Sequence, residues 1–157
     1  MITSVKKVII ETNSPEETEE FATKLAKELP LGSVLALYGN LGAGKTVFAR
    51  GYARGLGITE SVSSPTFTIV QEYRFNENMF FHLDLYRIDN SDSAYAFGID
   101  EFLYDKSAVT LLEWPERIFD ILPPHTIKVT LESLKNQTGR RITVIYPECY
   151  SGPEVQE

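Results

Sequence analysis

Three observations in a chain of 157 residues predict an α/β protein, with helices in layers on a mixed parallel and antiparallel sheet. The apolar run SVLALY, residues 33–38, leads at once into the glycine-rich stretch GNLGAGKT and then into VFARGYARGL, which has a helical pattern. A second run, AVTLL at 108–112, also lacks alternation, as strands buried on both faces do. By contrast, 126–131 and 140–146 alternate cleanly, which suits antiparallel strands with one wet face.

Residues 5–11 read as a first strand. Ser14 then supplies an N-cap, Pro15 the first helical position and Glu17 a capping-box carboxylate, so a helix is expected from there to Leu29. Phe21, Leu25 and Leu29 recur at helical spacing, while acids crowd the first turn and Lys24 and Lys27 sit toward the end, as the helix dipole favours. The helix after the glycine stretch is expected to run to Gly55 or Gly57. Segment 67–75 alternates, with Phe67, Ile69, Tyr73 and Phe75 on one side, and Asn76-Glu77-Asn78 separates it from the apolar run 79–83. Those two segments read as a β-hairpin. A short helix is expected over 92–97, and the last two strands are expected to form an antiparallel edge. The whole reads as one domain, 1–148, followed by a mobile tail, 149–157.

Composition excludes several classes. Hydrophobic content of 43% and charged content of 24% are ordinary for a globular protein, with no low-complexity tract. MITSVKKVII is too short in apolar residues for a signal peptide, and no stretch approaches a membrane span, so a cytoplasmic protein is expected. Cys149 is the single cysteine and has no internal partner for a disulfide. The net charge is −7, and from Asp89 to Asp120 eight acids face only Lys106 and Arg117. That argues against tight direct binding of nucleic acid, which relies on Lys and Arg to neutralise phosphates.

The stretch Gly39-Asn40-Leu41-Gly42-Ala43-Gly44-Lys45-Thr46 satisfies the Walker A pattern in full and has the required setting between strand and helix. Glycines let backbone N–H groups approach phosphate oxygens, the helix N-terminus adds its dipole, Lys45 reaches the outer phosphates and Thr46 offers a hydroxyl to Mg²⁺. The expected fold is therefore a P-loop NTPase-like, three-layer α/β fold. Gly51, inside the following helix, reads as a site of close helix-to-sheet packing. Arg50 and Arg54 lie four apart on one helix face, which is either solvated or contacts phosphate or a partner.

Such a loop needs an acid at a neighbouring strand end to hold Mg²⁺ or to position water, and two are available. Asp84 ends the run MFFHL and Glu113 ends VTLL; which takes which role is left open. His82 reads as a core histidine. Thr66, in Ser63-Ser64-Pro65-Thr66, is either a threonine that senses the γ-phosphate or part of a proline turn. Arg87 either stabilises transferred-phosphate charge or makes a salt bridge. No Asn-Lys-x-Asp guanine reader is present, and Asp84-Leu85-Tyr86-Arg87 replaces the Asp-x-x-Gly of GTPases, so ATP is the expected nucleotide.

Taken together, GNLGAGKT, SSPTFTIVQEY, HLDLYR and EWPER resemble the TsaE (YjeE) family of P-loop ATPases in order and spacing, over residues 14–141. Asn40 stands where that family more often has aspartate. The resemblance implies ATP hydrolysis in support of N6-threonylcarbamoyladenosine synthesis at position 37 of tRNAs, together with TsaD and TsaB proteins, which would hold the tRNA. It also implies that Thr46 and Glu113 are metal-side residues and that Asp84 and Trp114 are needed for activity. It places the adenine near Ser14 and Pro15. Trp114 is otherwise either packing or part of a nucleotide-responsive surface. Two rival readings are a small-molecule P-loop kinase and a nucleotide-sensing module with negligible turnover. The kinase is disfavoured because few arginines follow Arg74 to form a lid and because a hairpin follows the P-loop helix.

Overall fold

Strands without a polar face need cover on both sides, and this chain supplies it with two separate sets of helices. The computed structural model describes residues 6–150 apart from Leu41, Ser64, Thr66, Phe67 and Gln137. Its elements are β1 (Lys6–Thr12), α1 (Pro15–Glu28), β2 (Val34–Tyr38), α2 (Lys45–Gly55), β3 (Val70–Phe75) and β4 (Asn78–Asp84). There follow α3 (Ser91–Ala96), α4 (Ile99–Leu103), β5 (Ala108–Glu113), a 3₁₀ segment (Pro115–Ile121), β6 (Ile127–Ser133) and β7 (Arg140–Tyr146). The strands form one sheet in the order β1-β7-β6-β2-β5-β4-β3. β2 pairs in parallel with β5 and β6, β4 in parallel with β5, and the remaining pairs are antiparallel.

Side chains alternate across this sheet and so build two cores. On one face Leu35, Leu37, Phe80, Val109, Leu111, Val129 and Leu131 pack with α1 and α2; on the other Val34, Phe81, Leu83 and Leu112 pack with α3, α4 and the 3₁₀ segment. This is the expected three-layer arrangement with a mixed sheet.

Local chemistry sets the ends of α1 as expected. The Glu17 N–H donates to Ser14 Oγ at 3.2 Å, and Glu17 Oε2 accepts from the Asn13 N–H at 3.0 Å. A cap of this kind is worth about 1 kcal/mol. The hairpin forms with Phe75 opposite Asn78, so only Asn76 and Glu77 turn the chain, with Asn76 left-handed at φ 53°.

Several expectations need correction. The hairpin's first strand begins at Val70 rather than at 67, because Ile69 takes φ 68° and breaks the extended run; Phe67 lies outside the described residues. The last two strands do pair antiparallel but are not the edge, since β1 covers β7 through seven register pairs. The 3₁₀ segment and α4 had no clear periodic signal. Residues 151–157 of the expected tail, and Val5 of the first strand, lie outside the described residues. Among the described residues, no helix is long and apolar enough to cross a membrane.

Gly51 proves to serve helix against helix rather than helix against sheet. A Cβ added there would lie 2.3 Å from the backbone oxygen of Glu19 in α1. Around it Arg54 donates to Glu19 Oε1 at 3.0 Å and to Thr23 Oγ1 at 3.1 Å, and Thr23 Oγ1 lies 2.9 Å from Gly51 O. Arg54 thus belongs to the α1–α2 contact. Gly51→Ala is expected to destabilise the protein by about 1–3 kcal/mol despite alanine's better helix propensity, because backbone must move to admit the methyl. Urea unfolding would register this as a lower midpoint, and an unchanged midpoint would contradict the close approach.

Candidate functional site

The parallel strands β2, β5 and β4 deliver their carboxyl ends to one edge of the sheet, where open α/β folds bind their ligands. Register places Leu37 beside Glu113 and Glu113 beside Asp84, so both carboxylates stand level with the end of β2, where the glycine loop begins. Both are buried, each 4% exposed. Asp84 Oδ1 accepts the Tyr86 N–H at 3.0 Å, which fixes the turn after β4. His82 is fully buried as a core histidine would be, yet its Nε2 lies 2.9 Å from Glu113 Oε2.

The loop turns into α2 at Gly44, whose φ of 98° is open to glycine at little cost. Among the described residues no side chain caps this helix. Its first-turn N–H groups are therefore available to an anion, with the helix dipole behind them. Lys45 begins α2, is 7% exposed, and places Nζ 4.5 Å from the centre of the Trp114 ring. Trp114 follows Glu113 in a left-handed conformation, φ 61°, which turns its ring back over the lysine. The Tyr86 ring lies 5.1 Å from Trp114, and the Arg117 guanidinium lies 5.8 Å from the Tyr86 ring and 6.0 Å from that of Trp114.

A cleft of about 770 Å³ results, lined by Gly42, Gly44, Lys45, Thr46 and Val47 on one side and by Asp84, Tyr86, Glu113, Trp114 and Arg140 on the other. The structure thus brings together Lys45, Thr46, Asp84, Glu113 and Trp114 from the sequence reading. Pro15 lies apart from the carboxylates in a small recess with Thr18, Gly44, Val47, Thr138 and Arg140. Ser14 is engaged in capping α1. Leu41 and Thr66 lie outside the described residues. Oxygen donors from two buried carboxylates and Thr46 suit Mg²⁺, a hard cation that takes one or two carboxylates and fills its remaining positions with phosphate and water. Among the described residues no group of three or more His, Cys, Asp or Glu is placed to hold a metal ion by itself.

Arg140 was not foreseen. Its Nε donates to Ala43 O at 2.8 Å and one terminal nitrogen to Gly42 O at 3.1 Å, so a planar fork holds two loop carbonyls. It starts β7, antiparallel to β6, which is itself parallel to β2; this carries it to the edge where the loop sits. Only the sheet order, absent from any local pattern, could have pointed to it.

The family model described as threonylcarbamoyl adenosine biosynthesis protein TsaE matches residues 12–142. The chain belongs to the TsaE family. It is 41% identical over 121 residues to the tRNA threonylcarbamoyladenosine biosynthesis protein TsaE of Bacillus subtilis (strain 168), covering 77% of this chain and 75% of that protein. Against the TsaE of Treponema pallidum (strain Nichols) the identity is 37% over 133 residues, 85% of this chain and 96% of that one. The crystal structure of YdiB from Bacillus subtilis superposes with a TM-score of 0.78 at 35% identity, covering 92% of this chain and 88% of that chain. The TsaE resemblance read from the motifs and the α/β, P-loop fold expected from the strand pattern and the Walker A stretch are both upheld.

Hydrogen bonds from a charged donor contribute about 1.5–3 kcal/mol each, so losing the Arg140 fork is expected to loosen the loop. In Arg140→Ala, amide exchange at Ala43, whose N–H donates to Asn40 O at 3.0 Å, should quicken at least about tenfold. Unchanged exchange in hydrogen–deuterium measurements would show that the fork does not hold the loop.

Proposed function

We propose that this TsaE-family protein binds ATP with Mg²⁺ and hydrolyses it in support of N6-threonylcarbamoyladenosine synthesis at position 37 of tRNA, acting in the cytoplasm with TsaD and TsaB. The observation that carries this reading is the cleft in which Gly42, Gly44, Lys45 and Thr46 of the phosphate loop face two buried strand-end carboxylates. The relatives' names supply the pathway, tRNA threonylcarbamoyladenosine biosynthesis.

The first-turn amides of α2 and the ammonium of Lys45 would hold the outer phosphates, the amides by direction and the lysine as a point charge. Thr46 and one strand-end carboxylate would hold Mg²⁺, with the Glu113 position favoured by the family resemblance. Bound there, Mg²⁺ would neutralise charge developing on the transferred phosphoryl group. Asp84 would orient the attacking water and receive its proton. The base belongs near Pro15, where the recess with Thr18 and Val47 abuts the start of α2. With a net charge of −7 the protein is poorly suited to gripping tRNA itself, which fits a division of labour in which its partners do so.

The test measures ATP turnover with and without TsaD and TsaB, alongside calorimetric titration with ADP. Stimulated turnover should fall at least about 100-fold in Asp84→Ala and in Glu113→Ala while ADP binding stays measurable. Lys45→Ala should lose most nucleotide affinity. Wild-type stimulated turnover in either carboxylate variant would refute the assignment of the cleft.

A further inference from the structure

We propose that His82 is a positioning residue for Glu113: by holding Oε2 it fixes the rotamer in which the carboxylate serves the cleft. The inference rests on the nucleotide reading above and adds a residue to it. The two groups stand on neighbouring parallel strands, His82 opposite Leu111, so that Glu113 is its diagonal neighbour two positions on and on the same face of the sheet. The imidazole is fully buried, its Nε2 is 2.9 Å from Glu113 Oε2, and its ring stacks on Phe80 at 6.3 Å and 18°.

A carboxylate at full charge only accepts, so the ring nitrogen facing it donates. The other nitrogen, Nδ1, is buried and finds no hydrogen-bond partner among the described residues. A histidine present for packing alone would leave both nitrogens needing partners in the core, at a cost that a leucine or phenylalanine there would avoid. The ring therefore earns its place through Nε2. Bound at one oxygen, Glu113 cannot swing away from the cleft it lines, and its remaining lone pairs are left to that cleft. Partners that orient a metal-side ligand in this way typically change metal affinity by about 10–100-fold when removed.

Side-chain reach separates positioning from packing. A glutamine amide nitrogen can occupy about the place of Nε2, whereas an asparagine amide nitrogen falls about at Nδ1, short of Glu113. The experiment titrates ADP at a series of Mg²⁺ concentrations for wild type, His82→Gln, His82→Asn and His82→Phe, with Glu113→Gln alone and combined with His82→Asn. ADP affinity without Mg²⁺ serves as the check of folding. Expected are a Mg²⁺ requirement near wild type for His82→Gln, a requirement raised about tenfold or more for His82→Asn and His82→Phe, and no further rise when His82→Asn is added to Glu113→Gln. Should His82→Phe fail to fold, the Gln and Asn pair decides. Equal requirements in the Gln and Asn variants, or additive effects in the double variant, would overturn the positioning role while leaving the nucleotide reading standing. A wild-type protein whose ADP affinity ignores Mg²⁺ would overturn both.

Discussion

The site depends on the parallel register of β2, β5 and β4. Because Leu37, Glu113 and Asp84 fall in one row, the two carboxylates emerge together at the strand ends beside the loop that follows β2. The row beneath holds Leu35, Leu111 and His82, and below it come Val109 and Phe80, all on the face that packs α1 and α2. Rows that are apolar except for His82 thus carry the polar row directly. A slip of one residue in β4 would turn Asp84 and His82 to the opposite face and take Phe80 out of the core it packs in, so the fit of both cores enforces alignment of the chemistry.

The loop itself is held from two directions. Arg140 reaches from β7 to the carbonyls of Gly42 and Ala43. From the other side α1 grips α2 at Gly51 and through Arg54, Glu19 and Thr23. Gly51 lies six residues, or about 9 Å of helix, beyond Lys45. That contact sets the axis of α2 and with it the direction in which the first-turn amides and Lys45 point. The cap at Ser14 starts α1 on the correct line, so a short sequence signal far from the loop in the chain contributes to its geometry.

What could be read from the sequence was whatever a short window decides. The phosphate loop announces itself by residue type and spacing, Asp84 and Glu113 by ending apolar runs, and the capped helix and the hairpin by local turn chemistry. What could not be read depends on which strands become neighbours. The covering of β7 by β1, the arrival of Arg140 at the loop and the bond between His82 and Glu113 all follow from sheet order and register. Gly51 was recognised as a close approach, but the neighbour it accommodates, Glu19, is 32 positions away and invisible to periodicity. The left-handed turns at Ile69 and Trp114 were missed for another reason: β-branched and aromatic residues disfavour that conformation, so local preference pointed the wrong way.

The turn at Trp114 has an energetic consequence for the loop lysine. A non-glycine residue at φ 61° costs about 1–3 kcal/mol, which the surrounding packing must offset. Here the Tyr86 and Arg117 contacts hold the ring from one side while the Lys45 ammonium approaches it from within the cleft. Lys45 is 7% exposed, and its ammonium lies 4.5 Å from the centre of this ring. A cation–π contact contributes about 0.5–2 kcal/mol, less than a charge-assisted hydrogen bond to phosphate in the same surroundings. The arrangement therefore keeps the lysine ordered inside the cleft without committing it strongly, and the residue that does so is bonded directly to Glu113.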